Sequence, residues 1–355
     1  MRPHKILMIK SHSMGIGDIL RSSAAWRALK NQWPEVELHL LFLSKHEKYA
    51  SENLIRAHHL LSSAHFITVR DKDPSVKQAK RKSFLQLFRE SSQLIQHIQP
   101  DLIIDFEPHG LKSSLLTWTL GKIYKIQTLG VGQFPGRSLF YNLASVDFKQ
   151  FANKNSLTLP MDYSNRDFVV LDALHIQRQN SPIELKPGDQ AIQFKNELSL
   201  AYPQRKMWVG LNIGCATDGA EIRRPDLQQL ALSMIELQHA MPHTLILTGA
   251  PFEAHINEEF KKILADMHMD MQQVLDFSGK TSIETLPGLI DSCDLFISSD
   301  SGPYHMAVAL KKPTFAWFNF KEPAAQHQHP WVAGMVQPTP AEFIAGIQQL
   351  MSSQI

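Results

Sequence analysis

Two short segments carry side chains suited to binding or activating a polar substrate. The first is residues 300–303, Asp-Ser-Gly-Pro, which follows an apolar run and precedes a helical pattern that contains His305. A glycine lets the backbone approach an anion closely, and the serine hydroxyl and histidine ring can donate hydrogen bonds to phosphate oxygens. The segment therefore predicts an anion site. The alternative is an ordinary helix start, with Asp or Ser as N-cap and Pro in the first turn.

The second segment is the glycine-bearing loop of residues 11–18, Ser-His-Ser-Met-Gly-Ile-Gly-Asp. It is not a dinucleotide-binding fingerprint, because Leu20 stands where G-x-G-x-x-G needs a glycine, and it lacks the Gly-Lys-Ser/Thr of a P-loop. It places the Asp18 carboxylate at the start of a helix, where a general base can work. The alternative is that Asp18 only caps that helix.

Alternating strands and helices must position these two segments. Apolar runs at residues 5–10, 36–43, 64–69 and 101–105 predict strands, and an amphipathic pattern at 84–98 predicts a helix. The alternation fails from about residue 145 and restarts at 207. Two such arrays predict an α/β protein with two facing, doubly wound, Rossmann-like domains and a ligand in the cleft between them.

The proline-rich middle of the chain sets the expected domain boundaries. We expect an N-terminal domain at residues 1–180, a linker at 181–206 and a C-terminal domain at 207–335. Residues 336–355 are expected to form a helix that packs back on the N-terminal domain. Within the second domain, Thr281-x-x-Glu284 predicts a capping box at a helix start, and Pro287-Gly288 is expected to kink or shorten that helix.

Charge and cysteine content narrow the classes of function. Lys+Arg (36) and Asp+Glu (34) nearly cancel, which does not favour a nucleic-acid partner. Cys215 and Cys293 lie far apart, as suits a reducing cytoplasm better than a disulfide scaffold. The N-terminal residues make a poor signal peptide, and any membrane contact would be peripheral. The basic stretch at 77–82 either touches anionic lipid or an acidic acceptor, or is a solvated helix face, which is favoured.

The segment 277–318 resembles the signature of glycosyltransferase family 9, the heptosyltransferase-like family. In that signature, Gly-Lys-Thr-Ser precedes a strand that ends in Asp-Ser/Thr-Gly-x-x-His. Residues 5–41 are similar to the opening of the same family, and VGLNIGCATDG and LILTGAPFE are similar to its nucleotide-domain strands. DFEPHGLKSS and GRSLFYN are similar to its middle. The resemblance is weakest at 45–95 and 145–205.

The resemblance implies the GT-B fold and inverting transfer of heptose from ADP-heptose to the lipopolysaccharide inner core. It implies no cofactor and no metal, and a lipid-linked oligosaccharide acceptor met in the cytoplasm at the inner membrane. Asp18 would be the base that deprotonates the acceptor, and Glu253 would hold the donor ribose. Further donor contacts are implied for Gly214, Thr248, Asp300, Ser301, Gly302 and His305, and Arg223 or Arg224 is expected to take the place of the family's phosphate-binding lysine. Acceptor contacts are implied for Gly15, Gly17, Lys112 and Arg137.

One departure from the family concerns the donor site. The family usually has Lys-x-Trp-Pro after its glycine-rich loop, whereas this chain reads Ile222-Arg223-Arg224-Pro225. A guanidinium binds phosphate bidentately, but Arg and Lys are not interchangeable in geometry. Two alternatives therefore stay open. One is a transferase of the same fold with another donor or with a glycan or protein acceptor, and the other is a non-catalytic nucleotide-sugar-binding protein.

Overall fold

A computed structural model describes residues 2–11, 16–44, 50–56, 58–69, 82–159, 161–162, 164–179, 181–215, 221–320 and 327–353. The chain divides into two compact units, Met1–Ile183 and Glu184–Ile355. Among the described residues, every helix is too short or too polar to cross a membrane.

The first unit is a six-stranded parallel sheet with helices between its strands. Its strands are β1 (Lys5–Ser11), β2 (Glu37–Ser44), β3 (Ser63–Thr68), β4 (Leu102–Asp105), β5 (Gln127–Val131) and β6 (Leu143–Ser145). Its helices are α1 (Ile16–Arg21), α2 (Ser23–Gln32), α3 (Ala50–Arg56), α4 (Phe84–Ile98), α5 (Leu111–Tyr124), α6 (Phe148–Lys154) and α7 (Asn165–Leu171), with 3₁₀ helices at Arg137–Phe140 and Asp172–Leu174. The strand order is β3-β2-β1-β4-β5-β6.

The second unit is built in the same way. Its strands are β7 (Trp208–Asn212), β8 (Thr244–Thr248), β9 (Val274–Asp276), β10 (Leu295–Ser299), β11 (Thr314–Phe318) and β12 (Val332–Val336). Its helices are α8 (Asp189–Ala201), α9 (Leu227–Ala240), α10 (Ala254–Asp266), α11 (Leu286–Ser292), α12 (Gly302–Ala309) and α13 (Pro340–Ser352), with 3₁₀ helices at Glu221–Arg223, Pro251–Glu253 and Met271–Gln273. The strand order is β12-β11-β10-β7-β8-β9.

The strand order of the two sheets is the same when each unit's strands are numbered from its own first strand. In both sheets the first and fourth strands are parallel neighbours, β1 with β4 and β7 with β10. The connections leave these two strands in opposite directions, which opens a crevice outside their carboxyl ends. The fold therefore places Ser11 and Asp105 at one crevice and Asn212 and Ser299 at the other.

The segment expected to be a linker is largely part of the second unit. Residues 184–206 belong to that unit, and they include α8, which packs against α11. The contact is close because Gly288 lies there: a Cβ at this position would lie 2.1 Å from the carbonyl oxygen of Ala191. The prolines in this segment therefore flank a packed helix.

One other expectation for the second unit differs from the structure. The capping box at Thr281 is absent: Ser282 instead accepts hydrogen bonds from the backbone N–H groups of Glu284 and Thr285, both at 3.2 Å, in a turn. The helix α11 begins only at Leu286, so Pro287 lies in its first turn, where its missing N–H costs nothing. The C-terminal helix α13 packs within the second unit, against α9, β11 and β12.

Candidate functional site

The polar groups at the carboxyl ends of β7, β8 and β10 form the candidate site of the second unit. The strands are buried along most of their length, so their carboxyl ends bring polar side chains to the edge of an apolar core. This edge contains most of the residues for which the resemblance implies donor contacts.

The turns after β7 and β10 are joined by hydrogen bonds. The Asn212 amide donates to the hydroxyl of Ser301 at 2.9 Å and to the carbonyl of Gly214 at 3.0 Å. The Ser299 hydroxyl donates to the same Gly214 carbonyl at 3.0 Å. The Cys215 thiol lies against the Asp300 carbonyl, with the sulfur 3.6 Å from the oxygen. Asn212 and Ser299 therefore fix the geometry of this crevice, and the sequence analysis identified neither of them.

Ser301 is the N-cap residue of α12, but its side chain does not cap the helix. Its hydroxyl lies 3.2 Å from the Ser299 carbonyl and 3.2 Å from the Ser298 hydroxyl. The helix begins at Gly302, so the positive end of its dipole lies at this edge of the sheet. The structure thus shows the helix start at Gly302, and the anion-binding role of this segment stays a prediction.

The Asp300 carboxylate lies between two cationic or protonatable side chains. Its Oδ2 is 3.8 Å from Arg223, and its Oδ1 is 4.0 Å from His305 Nε2. His305 is buried, and its Nδ1 lies 2.8 Å from Nε2 of His327. His327 is buried as well, and the sequence analysis did not identify it. Its position was missed because nothing in the local pattern indicates a contact 22 residues away.

Glu253, at the carboxyl end of β8, has one oxygen bonded and one free of protein partners in the described part of the chain. Its Oε2 accepts a hydrogen bond from the Ala250 N–H at 2.9 Å. Its Oε1 is buried and has no hydrogen-bond partner. Buried polar atoms are nearly always hydrogen-bonded, so an oxygen without such a bond is available to accept one. Gly214 lies directly beside it, since a Cβ there would be 2.2 Å from Oε1.

Thr248 and Arg224 lie at the same edge of the sheet, and each has a buried polar group. The Thr248 hydroxyl is buried, 3.4 Å from the Leu211 carbonyl and 3.4 Å from Asn212 Oδ1. The Nε of Arg224 is buried and lacks a hydrogen bond among the described residues, and the Arg224 carbonyl accepts a bond from Asn319. Thr248 therefore supports β7.

The candidate base and its neighbouring glycines belong to the first unit. Asp18 and Gly17 lie in α1, and Gly17 is buried. The Asp18 side chain and all of Gly15 lie outside the described part of the structure, as do residues 77–81 of the basic stretch. Lys112 is exposed on the first turn of α5. The roles implied for these residues stay predictions.

Arg137 is buried, with only 1% of its surface exposed. Its Nε donates to the Ser114 hydroxyl at 2.9 Å, and its NH2 lies 3.6 Å from Asp105 Oδ2. It also donates to the carbonyls of Glu107 and Pro108. The guanidinium thus holds the turn after β4. The acceptor contact implied for Arg137 stays a prediction, and this burial does not favour it.

A buried carboxyl–phenol pair lies beside that guanidinium. The Tyr141 hydroxyl donates to Asp105 Oδ2 at 2.7 Å. Burial raises the pKa of the Asp105 carboxyl to about 6, although Tyr141 and Arg137 both act to lower it. Burial likewise raises the pKa of the Tyr141 phenol. The sequence analysis did not identify this pair.

Glu107 links the carboxyl ends of β1 and β4. Its Oε2 accepts a hydrogen bond from the Ser11 hydroxyl at 2.8 Å, and its backbone N–H donates to Asp105 Oδ1 at 3.0 Å. Ser11 immediately precedes the loop that leads to Asp18. The first unit therefore also joins its two central strands by polar groups at its crevice.

Part of the second unit matches the model of a known protein family. The model of glycosyltransferase family 9 (heptosyltransferase) matches residues 230–334, which contain β8 to β12 and the segment 300–305. The resemblance to glycosyltransferase family 9 is confirmed. The matched region includes Glu253, Asp300, Ser301 and His305.

Curated relatives point to the same family over a limited length. Lipooligosaccharide heptosyltransferase 2 of Campylobacter jejuni subsp. jejuni serotype O:2 is 33% identical over 128 residues, which are 36% of this chain and 37% of the relative. Its counterpart in serotype O:6 is 33% identical over the same length, 38% of that relative. The match thus spans little more than a third of these curated relatives.

Three solved structures match over nearly the whole chain. The family 9 glycosyl transferase of Veillonella parvula DSM 2008 gives a TM-score of 0.70 at 13% identity, covering 98% of this chain and 97% of that one. The E. coli ADP-heptose lps heptosyltransferase II gives 0.67 at 16% identity, covering 99% and 100%. E. coli heptosyltransferase WaaC with ADP gives 0.59 at 14% identity, covering 99% and 97%. At these identities the likeness concerns the fold, and it confirms the GT-B prediction.

Proposed function

We propose that this protein is an inverting glycosyltransferase that moves a heptose from ADP-heptose to an acceptor of the lipopolysaccharide inner core, with no metal or bound cofactor. The match of residues 230–334 to glycosyltransferase family 9 supports this class of reaction. The observation that carries the donor assignment is Oε1 of Glu253, which is buried at the crevice of the second sheet and has no hydrogen bond to any described residue.

The ribose of the donor is the group that Glu253 would bind. A carboxylate oxygen accepts hydrogen bonds from hydroxyl groups, and a hydrogen bond to a charged group contributes about 1.5–3 kcal/mol. Gly214 keeps the space beside Oε1 clear of any side chain. A ribose hydroxyl directed at Oε1 would supply the hydrogen bond that the described residues do not make to this atom.

The donor diphosphate would bind beside Asp300. A carboxylate repels a diphosphate, so Asp300 would act through the side chains that it holds, Arg223 at 3.8 Å and His305 at 4.0 Å. The amino end of α12 adds backbone N–H groups and a positive dipole end. Together these groups would stabilise the charge that develops on ADP as it leaves.

Arg223 is the cation that replaces the family's missing lysine in this proposal. Its ion pair with Asp300 supports a donor site that kept its positive charge although the residue type changed. A transferase and a nucleotide-sugar-binding protein would both need this positive charge, so product formation is the measurement that separates them.

The transfer step would use Asp18 as the general base. The acceptor hydroxyl would give its proton to the Asp18 carboxylate while its oxygen attacks the anomeric carbon. The bond from that carbon to the ADP oxygen would break, and the new glycosidic bond would form with inversion. Gly15, Gly17 and Lys112 stay the proposed acceptor-side residues. A lipid-linked acceptor would place the protein in the cytoplasm, peripheral to the inner membrane.

Calorimetry and turnover together test this function. We expect ADP to bind more tightly than UDP, and ADP-heptose to be consumed with core acceptor at an unchanged rate after dialysis against EDTA. A preference for UDP would overturn the adenine assignment. ADP binding without product formation, across a panel of core acceptors, would instead identify a nucleotide-sugar-binding protein.

A further inference from the structure

The outer side of α5 is apolar where a surface helix normally presents polar residues. Leu111, Leu115 and Trp118, spaced four and three positions apart, are 65%, 37% and 39% exposed. Residues with this spacing lie on one face of a helix. In the 3₁₀ helix that follows β5, Leu139 is 81% exposed. The first unit therefore presents several large apolar side chains to solvent.

The apolar residues of α5 and of the 3₁₀ helix lie against each other. Trp118 packs edge-on against Phe140, with ring centroids 6.5 Å apart and an interplanar angle of 84°. An open cavity of about 310 Å³ lies at this contact. Its lining includes Trp118, Lys122, Lys125, Leu139, Phe140 and Asn142. The apolar side chains and two lysines thus belong to one surface.

The charged side chains that line this cavity are Lys122 and Lys125. Residues 108–146 contain neither Asp nor Glu. Lys122 and Lys125 are exposed, and the described part of the structure shows no ion pair for either. We define the α5 face as this set: Leu115, Trp118, Lys122, Lys125, Leu139 and Phe140.

We propose that the α5 face binds an anionic lipid bilayer. Trp118 and Leu139 would enter the interface between headgroups and acyl chains, where aromatic and aliphatic side chains are stabilised. Lys122 and Lys125 would lie beside the lipid phosphates. A second copy of this chain fits less well, because a two-fold contact through this face would bring the same lysines together.

This proposal rests on the proposed function in one respect, since a transferase with a lipid-linked acceptor must meet a membrane. It assigns that contact to the α5 face and not to residues 77–82. Binding and transfer are therefore measured separately: vesicle binding without donor, and sugar transfer with a delipidated, water-soluble acceptor. Either can fail while the other holds.

The test is co-sedimentation of the full chain with vesicles of phosphatidylglycerol and phosphatidylcholine, compared with phosphatidylcholine alone. We expect binding to the anionic vesicles only. Each lysine near an anionic surface strengthens binding by about fivefold, so Lys122→Gln with Lys125→Gln should weaken it by about 25-fold. Leu139→Ser should weaken it by about tenfold through lost apolar insertion.

Matched controls exist in the second unit. Leu200 on α8 is also 81% exposed, so Leu200→Ser changes the same residue type at the same exposure. Lys186→Gln with Lys206→Gln removes two exposed lysines elsewhere. Both controls should bind vesicles like the unmodified protein. The proposal would be overturned if the control variants lost as much vesicle binding as the α5-face variants. It would also be overturned if the protein formed a concentration-dependent dimer that Leu139→Ser abolished while vesicle binding stayed unchanged.

Discussion

The carboxylate of Glu253 fills the space that a side chain at position 214 would need. A Cβ on Gly214 would lie 2.2 Å from Glu253 Oε1 and 2.4 Å from its Cδ. The two residues follow different strands, β8 and β7, so their contact fixes the distance between two turns at the crevice. Position 214 must therefore be glycine, because the Glu253 carboxylate occupies the space of any side chain there.

Replacing Gly214 by alanine should weaken ADP binding by at least about tenfold. The added methyl group must displace the Glu253 carboxylate, and a hydrogen bond to a charged group contributes about 1.5–3 kcal/mol. Isothermal titration calorimetry with ADP measures the effect. Gly188→Ala is the control, because a Cβ at Gly188 meets nothing within 4 Å. If Gly214→Ala bound ADP with unchanged affinity, Glu253 would not be part of the donor site.

Arg223→Ala should also weaken ADP binding, by about tenfold, because it removes a charged donor from the proposed diphosphate site. The difference from the unmodified protein should shrink in high salt, which screens a partly exposed charge. Arg205→Ala is a matched control, since both arginine side chains are 35% exposed and paired with an aspartate. If both variants bind ADP equally well, Arg223 does not replace the family's lysine.

Asp18→Ala should lower kcat by about 10²–10⁴-fold and leave the Kd for ADP unchanged, because a general base acts on the acceptor and not on the donor. Turnover assays and calorimetry on the same protein separate the two quantities. Asp189→Ala, which removes an exposed acid from the first turn of α8, should keep full turnover. An Asp18→Ala protein that loses thermal stability but keeps kcat would show that Asp18 only caps α1.

Asp105 should make the first unit less stable as pH rises from about 4 to about 6. Its folded-state pKa, about 6, lies above the ordinary value of 3.8, so the folded state holds this proton more tightly than the unfolded state. The stability that protonation contributes is complete below about pH 4 and is lost as pH rises through 6, by an amount on the order of 3 kcal/mol.

Urea denaturation of the unmodified protein and Asp105→Asn at several pH values measures this contribution. The unmodified protein should lose stability relative to Asp105→Asn as pH rises through the window. Asp105→Asn leaves the buried Arg137 without its carboxylate, so its overall stability falls at every pH, and the pH dependence is the quantity compared. If the unmodified protein instead gained stability relative to Asp105→Asn as pH rises, the folded-state pKa of Asp105 would be lowered.

Gly288→Ala should destabilise the second unit by about 1–3 kcal/mol, as added methyl groups do in a close-packed contact. The methyl group would meet the Ala191 carbonyl oxygen at 2.1 Å, and backbone atoms cannot rotate away. Thermal denaturation measures the change, again with Gly188→Ala as the control. Unchanged stability would show that α8 separates readily from α11.

The elements with strong local patterns were predictable. The amphipathic pattern at 84–98 coincides with α4, and Ser83 and Gln86 form a capping box at its start. The first four predicted strands agree with β1 to β4 to within a residue at each end. These segments form because their apolar spacing and capping residues act over one or two turns, which a sequence shows directly.

The residues of the candidate site were predictable only where they lie together in one short segment of sequence. The resemblance drew attention to the segment 300–305 and Glu253, but the bond from Asn212 to Ser301 joins residues 89 positions apart. The burial of Arg137 depends on Asp105 and Tyr141 in the same way. At Thr281 the pattern of a capping box was present, but Ser282 and Thr285 formed a competing turn. Such long-range or competing hydrogen bonds have no local signature.

The parallel sheets with matching strand order affect how the chain reaches its native state. All six strands of the first sheet come from residues 5–145, and every neighbouring pair of these described strands is parallel, so none is joined by a hairpin. Pairing within either sheet must therefore bring distant parts of the chain together, which slows folding. Because the ribosome releases the N-terminal residues first, the first sheet can complete its pairing while β7 to β12 are still being synthesised.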